Sequence, residues 1–317
     1  MVSRQRKPII KESKETKAVD PPKTEEKDAP LKFGPLPRFQ YQRILTRSVT
    51  IFAILTIVYF TQKKGKDFTF AKQNEILRSR GQNVDCSESY MKEIAIFPDC
   101  VPEKCGRFVS DGLVTAGEAD SLLNIARDGM ALGGSDGGAS ILDLHSGALS
   151  KGTVFINVYA LENTKEIFNK VDLTTYKVIK TKIQHAIGHN FGVDSDKIYL
   201  THPTFFSRID SKEAVTTHDE YWHPHVDKET YKSFHYTSLL YLTDYGRDFQ
   251  GGRFVFMDKD NVTRAVEPRK ARVTMFTSGS ENVHYVEKVT SGTRYALTVS
   301  FTCDPASAIS DPAVKTD

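Results

Sequence analysis

The sequence predicts an α+β domain in which antiparallel strands form a sandwich or barrel behind two helices, preceded by one membrane-spanning helix. In two segments, 115–130 and 175–190, apolar residues recur at helical spacing. After Ile198 the apolar period changes to two over several short runs, which indicates strands. One charge-free apolar run, 48–62, precedes both patterns. The 317 residues suffice for one large domain or two ordinary ones, and the net charge of +3 gives no indication of nucleic-acid binding.

Residues 1–43 are predicted to be a disordered basic tail in the cytosol. Through residue 47 the chain contains 12 Lys or Arg, 6 Asp or Glu and six prolines. Such a segment buries too little apolar surface to offset the entropy lost on folding.

Residues 44–62 are predicted to be a transmembrane signal-anchor. As a helix these 19 residues measure about 28 Å, close to the roughly 30 Å hydrocarbon core of a bilayer. A buried core helix is the alternative, which the short charge-free run favours. The run is apolar on every face and lies between two basic segments, and this pattern favours the anchor. We expect a single-pass type II membrane protein whose C-terminal domain lies in the lumen of the endoplasmic reticulum or another secretory compartment.

Residues 63–110 are predicted to be a lumenal stem that contains most of the cysteines. The four cysteines are Cys86, Cys100, Cys105 and Cys303. In an oxidising lumen they can form two disulfides in any of three pairings. A zinc site is the alternative, although no second closely spaced pair accompanies Cys100 and Cys105. Asn261-Val262-Thr263 is a sequon for N-glycosylation, so Asn261 is a predicted glycan site.

Residues 111–200 are predicted to be a helical support region. A capping box at Thr115–Glu118 predicts the start of the first helix, and the glycines from 133 predict its end. The second helix is predicted from about Thr175 to Asn190. Between them, GGSDGG (133–138) is predicted to be a loop without a nucleotide role, because it lacks the Gly-Lys-Ser/Thr ending of a phosphate loop. On the second helix, His185 and His189 lie opposite the apolar face and are expected to face solvent.

Residues 201–305 are predicted to form the β-rich core, and 306–317 a flexible C-terminus. The strand-like runs, in chain order, are IYLTHPTFFSRI, HYTSLLYLTDY, GRFVFM, VTRAVE, RVTMFT and RYALTVSFT.

Two histidines and one aspartate predict a metal site. In an extended chain His225 and Asp227 project to the same side, so both side chains can reach one ion. His284 follows 57 residues later and completes a set of two imidazoles and one carboxylate. This set is typical of non-haem Fe(II) oxygenases, because it leaves coordination positions open for a cosubstrate and O2. We expect His218 and Trp222 at the mouth of this site, and His223 as a neighbour or substrate contact.

Arg294 is the predicted anion-binding residue. Arg294 and Thr298 share one face of the last strand-like run, so the guanidinium and a hydroxyl point the same way. A buried arginine requires an anionic partner, and the distal carboxylate of a dicarboxylic acid suits its planar fork. Tyr241, on the face of Leu239, can add a phenol hydrogen bond. Read alone, each residue also fits a purely structural role.

These motifs resemble those of the prolyl 4-hydroxylase-type 2-oxoglutarate/Fe(II) oxygenases. His225-x-Asp227, the GGRFVF run at 251–256, and His284 with a basic residue ten positions later carry the resemblance. It implies a double-stranded β-helix (jelly-roll) with His225, Asp227 and His284 as iron ligands and Arg294 as the 2-oxoglutarate clamp. Tyr241 and Thr298 would assist, and L-ascorbate would keep the iron ferrous.

The leading hypothesis is therefore a membrane-anchored dioxygenase that hydroxylates an unidentified protein or small-molecule substrate with O2 and converts 2-oxoglutarate to succinate and CO2. One alternative is a non-catalytic β-barrel binding module that retains the cavity. Another is a structural membrane protein that uses its barrel as an interaction surface.

Overall fold

The computed structural model describes residues 40–62, 66–161 and 168–312. The predicted tail, over 1–39, and the last five residues of the predicted flexible C-terminus lie outside the described residues. The chain divides into two compact units, Met1–Phe60 and Thr61–Asp317.

The first unit contains all but the last two residues of helix α1 (Gln42–Gln62), which covers the predicted membrane span. From Gln42 to Phe60 its mean hydropathy is 1.6, and none of this stretch is buried in the described structure. The alternative of a buried core helix is therefore not supported. By length and composition α1 is able to cross a membrane.

The second unit contains helices and strands as follows. The helices are α2 (Glu88–Ile94), α3 (Ala116–Met130), α4 (Lys170–Phe191) and the short α5 (Asp227–Thr230). The strands before α4 are β1 (Asp67–Ala71), β2 (Arg80–Val84), β3 (Cys105–Ser110), β4 (Gly134–Ser135), β5 (Ala139–Leu142), β6 (Ala148–Gly152) and β7 (Val154–Asn157). Those after it are β8 (Tyr199–Leu200), β9 (Phe205–Ile209), β10 (Tyr236–Tyr241), β11 (Phe249–Gly251), β12 (Phe254–Met257), β13 (Thr263–Val266), β14 (Val273–Thr277), β15 (His284–Val286), β16 (Val289–Gly292) and β17 (Arg294–Thr302).

Among the described residues the strands form a large sheet, a smaller sheet and a two-stranded ribbon. The large sheet has the order β2-β3-β14-β10-β17-β9-β5-β6-β4, with β7 beside β6 and β8 beside β17. The smaller sheet has the order β1-β13-β12-β15, and β11 pairs with β16. Most pairs are antiparallel, whereas β1–β13 and β4–β6 are parallel. The predicted α+β class with antiparallel sheets is thereby confirmed.

Alternate residues of the central strands pack on opposite sides of the large sheet. On one side Leu240 of β10 and Leu297 of β17 join the core formed with α3 and α4. On the other side Leu239, Tyr241 and Ala296 pack against Phe254 of the smaller sheet. The period of two in the sequence therefore separates a helix-facing core from a space between the sheets.

Some elements differ from the predictions. Helix α4 begins five residues before the predicted Thr175, because Asn169 caps it by accepting hydrogen bonds from the amides of Val171 and Asp172. The segment 63–110, predicted as a stem, contributes β1 to the smaller sheet and β2 and β3 to the large one. The predicted helical region, 111–200, also contains β4 to β7, whose short and half-exposed strands carry a weak sequence pattern.

All four cysteines are paired, as Cys86–Cys105 and Cys100–Cys303. The second disulfide joins residues 203 positions apart and connects the end of β17 to the segment before β3. Two disulfides are thus confirmed and the zinc alternative is wrong, since no free cysteine is left.

Candidate metal centre

A cavity of about 440 Å³ lies between the two sheets. Its walls come from β5, β9, β10, β12, β15 and β17, and from residues 217–237. Among the residues lining it are His225, Asp227, His284, Arg294, Thr298, His218, Glu220, Tyr221, His223, Tyr231, Phe205, Phe234, Leu239 and Phe254.

The three predicted metal ligands meet in this cavity. One ligand atom from each of His225, Asp227 and His284 lies within 4.8 Å of the other two. The Oδ1 atom of Asp227 is 3.4 Å from Nε2 of His284 and 3.7 Å from Nε2 of His225. A single ion can therefore contact all three side chains.

The backbone brings these ligands together across the sequence. His225 and His284 exchange two hydrogen bonds, from each amide to the other carbonyl, at 2.9 and 3.0 Å. Asp227 begins α5 and is not part of a strand, which differs from the predicted extended run. Because Val226 is still extended (φ −116°, ψ 123°), His225 and Asp227 project to the same side, as predicted.

Both imidazoles are oriented by a carbonyl two residues before them. Nδ1 of His225 donates to the His223 carbonyl, and Nδ1 of His284 donates to the Asn282 carbonyl, each at 2.9 Å. A carbonyl oxygen can only accept, so each Nδ1 carries a proton, and Nε2 is the ring atom that faces Asp227. Burial and the neighbouring His284 also lower the pKa of His225, which favours the neutral ligand form.

Asp227 is buried and ionised. Burial opposes its charge, but the adjacent His284 imidazole outweighs this effect and holds the pKa of Asp227 below its ordinary value. Among the described residues no hydrogen-bond donor pairs with its Oδ2. A buried carboxylate oxygen without a partner is costly, and a cation at this position would satisfy it. Two imidazoles with one carboxylate, without thiolate, suit Fe(II).

Arg294 lies fully buried in the same cavity, where burial lowers its pKa. Its Nε donates to the Gly252 carbonyl at 3.0 Å, whereas Nη2 has no partner among the described residues. A buried guanidinium with an unused donor is arranged to bind an anion. Gly252 permits this approach: its φ is +64°, and a Cβ there would lie 3.1 Å from Arg294 Cδ.

The remaining predicted residues fall in different places. Thr298 lines the cavity, as its shared face with Arg294 predicts, and so do His218 and His223. Tyr241 lies beneath Arg294, whose Cζ is 5.5 Å from the ring centroid, and outside the described lining of the cavity. His185 and His189 are exposed on α4, as expected.

The segment 215–224, here called the mouth segment, contributes more residues to the cavity than the sequence predicted. It brings Glu220 and Tyr221 to the cavity, and the predicted Trp222 lies under Nζ of Lys288, 3.8 Å from the ring centroid. Asp219 attaches this segment to the GGSDGG loop. The run EYWH (220–223), which only Pro224 separates from His225, was the signal available in the sequence.

Comparisons with known proteins agree with this geometry. A model of the 2OG-Fe(II) oxygenase superfamily matches residues 207–302. The chain is 53% identical over 244 residues to 2-oxoglutarate and iron-dependent oxygenase domain-containing protein 3 of Xenopus tropicalis, covering 76% of each chain. It is 52% identical over 245 residues to the protein of the same name in Homo sapiens, covering 77% of this chain and 76% of that one. A shorter match, 46% identical over 72 residues, covers 22% of this chain and 10% of Homo sapiens prolyl 3-hydroxylase 2.

Proposed function

Because this chain belongs to the family of 2-oxoglutarate and iron-dependent oxygenase domain-containing protein 3, we propose that it is an active dioxygenase. It inserts one oxygen atom of O2 into a substrate C–H bond and the other into succinate, which forms with CO2 from 2-oxoglutarate. The two facing sheets support the double-stranded β-helix that the sequence resemblance implies.

One observation carries this proposal: two buried polar atoms without partners, Asp227 Oδ2 and Arg294 Nη2, belong to residues lining one cavity. Ferrous iron, when bound, would supply the activation of O2. His225, Asp227 and His284 would hold the metal, and the imidazoles of the two histidines are already oriented by backbone carbonyls. Arg294 binds the distal carboxylate of 2-oxoglutarate, with the Thr298 hydroxyl on the same strand face.

We propose a protein substrate, presented to the cavity as a proline-containing segment. The short match to prolyl 3-hydroxylase 2 supports this choice. The cavity also has aromatic walls, from Phe205, Tyr231 and Phe234, that suit an apolar ring.

We further propose that α1 anchors the protein in the membrane, with the oxygenase domain in the lumen of the secretory pathway and ascorbate as the reductant for iron. The apolar length of α1 and the two disulfides support this location.

The test uses the full-length protein in detergent micelles, with Fe(II), ascorbate, 2-oxoglutarate and proline-containing peptides. We expect succinate release that His225→Ala or Asp227→Ala abolishes, because each removes one of three ligands. His189→Ala is the matched control, since this histidine is exposed on α4 and should leave the rate unchanged. If the protein binds the metal but releases no succinate with any of the peptides tested, this result would instead support the non-catalytic binding module.

A further inference from the structure

The face of the large sheet that lines the cavity continues beyond it, across β5, β6 and β7. Ser207 of β9 and Ile141 of β5 both line the cavity and lie opposite each other in register. On the next strand the Ser150 hydroxyl accepts a hydrogen bond from the Ile141 amide at 3.0 Å, and Ser150 pairs with Phe155 of β7. Because opposed residues of neighbouring strands share a face, these side chains form one row that leads out of the cavity.

The intervening residues confirm which face is which. Leu142 pairs with Leu149, and Leu149 pairs with Ile156. The two leucines are buried in the core formed with α3 and α4, and Ile156 packs against that core. Phe155, the neighbour of Ile156, therefore points to the cavity side of the sheet. There its ring contacts His218 of the mouth segment, with the ring centroids 5.9 Å apart.

Phe155 is accessible to a partner, and the mouth segment beside it is fixed in place. The side chain of Phe155 is 49% exposed on the outer strand β7. Asp219 holds the mouth segment against β5, because its buried carboxylate accepts hydrogen bonds from the Ser135 hydroxyl and the Ala139 amide. Such a preformed apolar surface loses little entropy when a ligand binds, and its continuity with the cavity indicates which ligand it serves.

We propose that Ile141, Ser150 and Phe155, here called the β5–β7 platform, dock the extended part of the protein substrate that flanks the residue inside the cavity. This inference rests on the proposed function and adds to it the surface that selects the substrate. Proline-containing segments favour the polyproline II conformation, and grooves lined by aromatic rings bind that conformation. Phe155 supplies the aromatic ring at the outer end of the platform.

The spacing of the strands sets where the substrate must carry an apolar side chain. Neighbouring strands are about 4.8 Å apart, so the three strand steps from Ser207 to Phe155 cover about 14 Å. A polyproline II chain rises about 3.1 Å per residue. We therefore expect the side chain that packs on Phe155 to lie about four or five residues from the one inside the cavity.

The test measures peptide binding by fluorescence anisotropy, with the full-length protein in detergent micelles, Mn(II) and 2-oxoglutarate. The short peptide has a central proline with about three alanines on each side, so it reaches only about 9 Å. The long peptide extends it and places a leucine about five residues from the proline on each side. The wild type should bind the long peptide about fivefold more tightly, because the exposed half of the Phe155 ring becomes buried. Phe155→Ser should abolish this difference and leave the affinity for the short peptide unchanged.

Two control variants separate the platform from general effects of the substitution. Phe68 of β1 is 48% exposed, which matches Phe155, and it is not among the described residues that line the cavity. Phe68→Ser should retain the full preference for the long peptide. Phe155→Tyr should also retain most of it, since the aromatic ring remains.

The assignment is wrong if Phe155→Ser binds the long peptide as tightly as the wild type, or if it loses affinity for both peptides equally. It is also wrong if Phe155→Ser dissociates a wild-type dimer seen by light scattering, because the occupant is then a second copy of this chain. Binding of 2-oxoglutarate is measured on the same samples by calorimetry. If the wild type binds 2-oxoglutarate but neither peptide, the platform and the peptide substrate fail while the dioxygenase proposal stands. If it does not bind 2-oxoglutarate, the proposed function fails as well.

Discussion

The Cys100–Cys303 disulfide is expected to stabilise the oxygenase domain more than the Cys86–Cys105 disulfide does. In the chain-entropy description, a crosslink stabilises by restricting the unfolded chain, and the effect grows with the logarithm of the loop. The separations of 203 and 19 residues correspond to about 5 and about 3 kcal/mol. For a domain of about 250 residues, removing the Cys100–Cys303 disulfide should lower Tm by about 10 °C, and removing the Cys86–Cys105 disulfide should lower it by about 6 °C.

Two double variants are compared, Cys100→Ala/Cys303→Ala and Cys86→Ala/Cys105→Ala, each of which removes one disulfide and leaves the other intact. The full-length protein in detergent is unfolded by heat and by urea, with circular dichroism as the signal. Each double variant removes two sulfur atoms, and only Cys86 of the four cysteines is half-buried and not buried, so the difference between the variants reports chiefly on loop length. An equal or larger loss for the Cys86/Cys105 variant would refute the argument from loop entropy.

Three further outcomes follow from single residues. Burial, with a smaller effect of a nearby lysine, lowers the pKa of His235 to about 3, so stability is complete above pH 6.5 and declines as the pH falls toward 3. At pH 5 the free energy of unfolding, measured with urea, should be about 2 kcal/mol lower than above pH 6.5, and His235→Gln should flatten this pH dependence. If the wild type and the variant lose stability in parallel as the pH falls, His235 is not the cause. Gly252→Ala should lower the free energy of unfolding by about 2 kcal/mol, because the strain of a positive φ adds to the close contacts beside Arg294. Gly246 also has a positive φ but open space around it, so Gly246→Ala should lower it by about 1 kcal/mol. Equal losses for the two variants would show that the close contacts at Gly252 contribute nothing. Asn261 is exposed, so a glycan attached there in cells should slow the protein on a denaturing gel until a glycosidase removes it. Asn261→Gln should abolish this shift in gel mobility. A wild type without the shift would contradict the proposed lumenal location.

The fold could be predicted where local signals are strong. The capping box at Thr115 does begin α3, with both of its reciprocal hydrogen bonds present. The strand-like runs after Ile198 correspond to strands of the two sheets, because their period of two reflects the alternation of side chains between the two faces of a sheet. The strands β1 to β7 were not predicted, since several pair at the sheet edges with half-exposed residues and have no clear period. The disulfide pairing depends on tertiary contacts that no spacing encodes.

The site could be predicted in its ligand types but not in its full lining. The structure brings His225, Asp227 and His284 together, as the pattern predicts. Tyr241 does face the interior, yet whether its hydroxyl is available depends on Thr274, a neighbour on another strand. The GGSDGG loop was predicted to lack a nucleotide role. What the sequence could not reveal is its contact with Asp219, 84 residues from Ser135.

The alternation along β17 has a consequence for how this protein can change in length. Its even-numbered positions from Arg294 to Thr298 face the chamber between the sheets, and the odd-numbered Leu297 and Val299 face the helices. A substitution affects one position, but inserting or deleting a single residue would exchange the two sets. The guanidinium would then be driven into hydrocarbon, and leucine toward the proposed metal ligands. Natural variants of this strand should therefore differ in side chains and almost never in residue count.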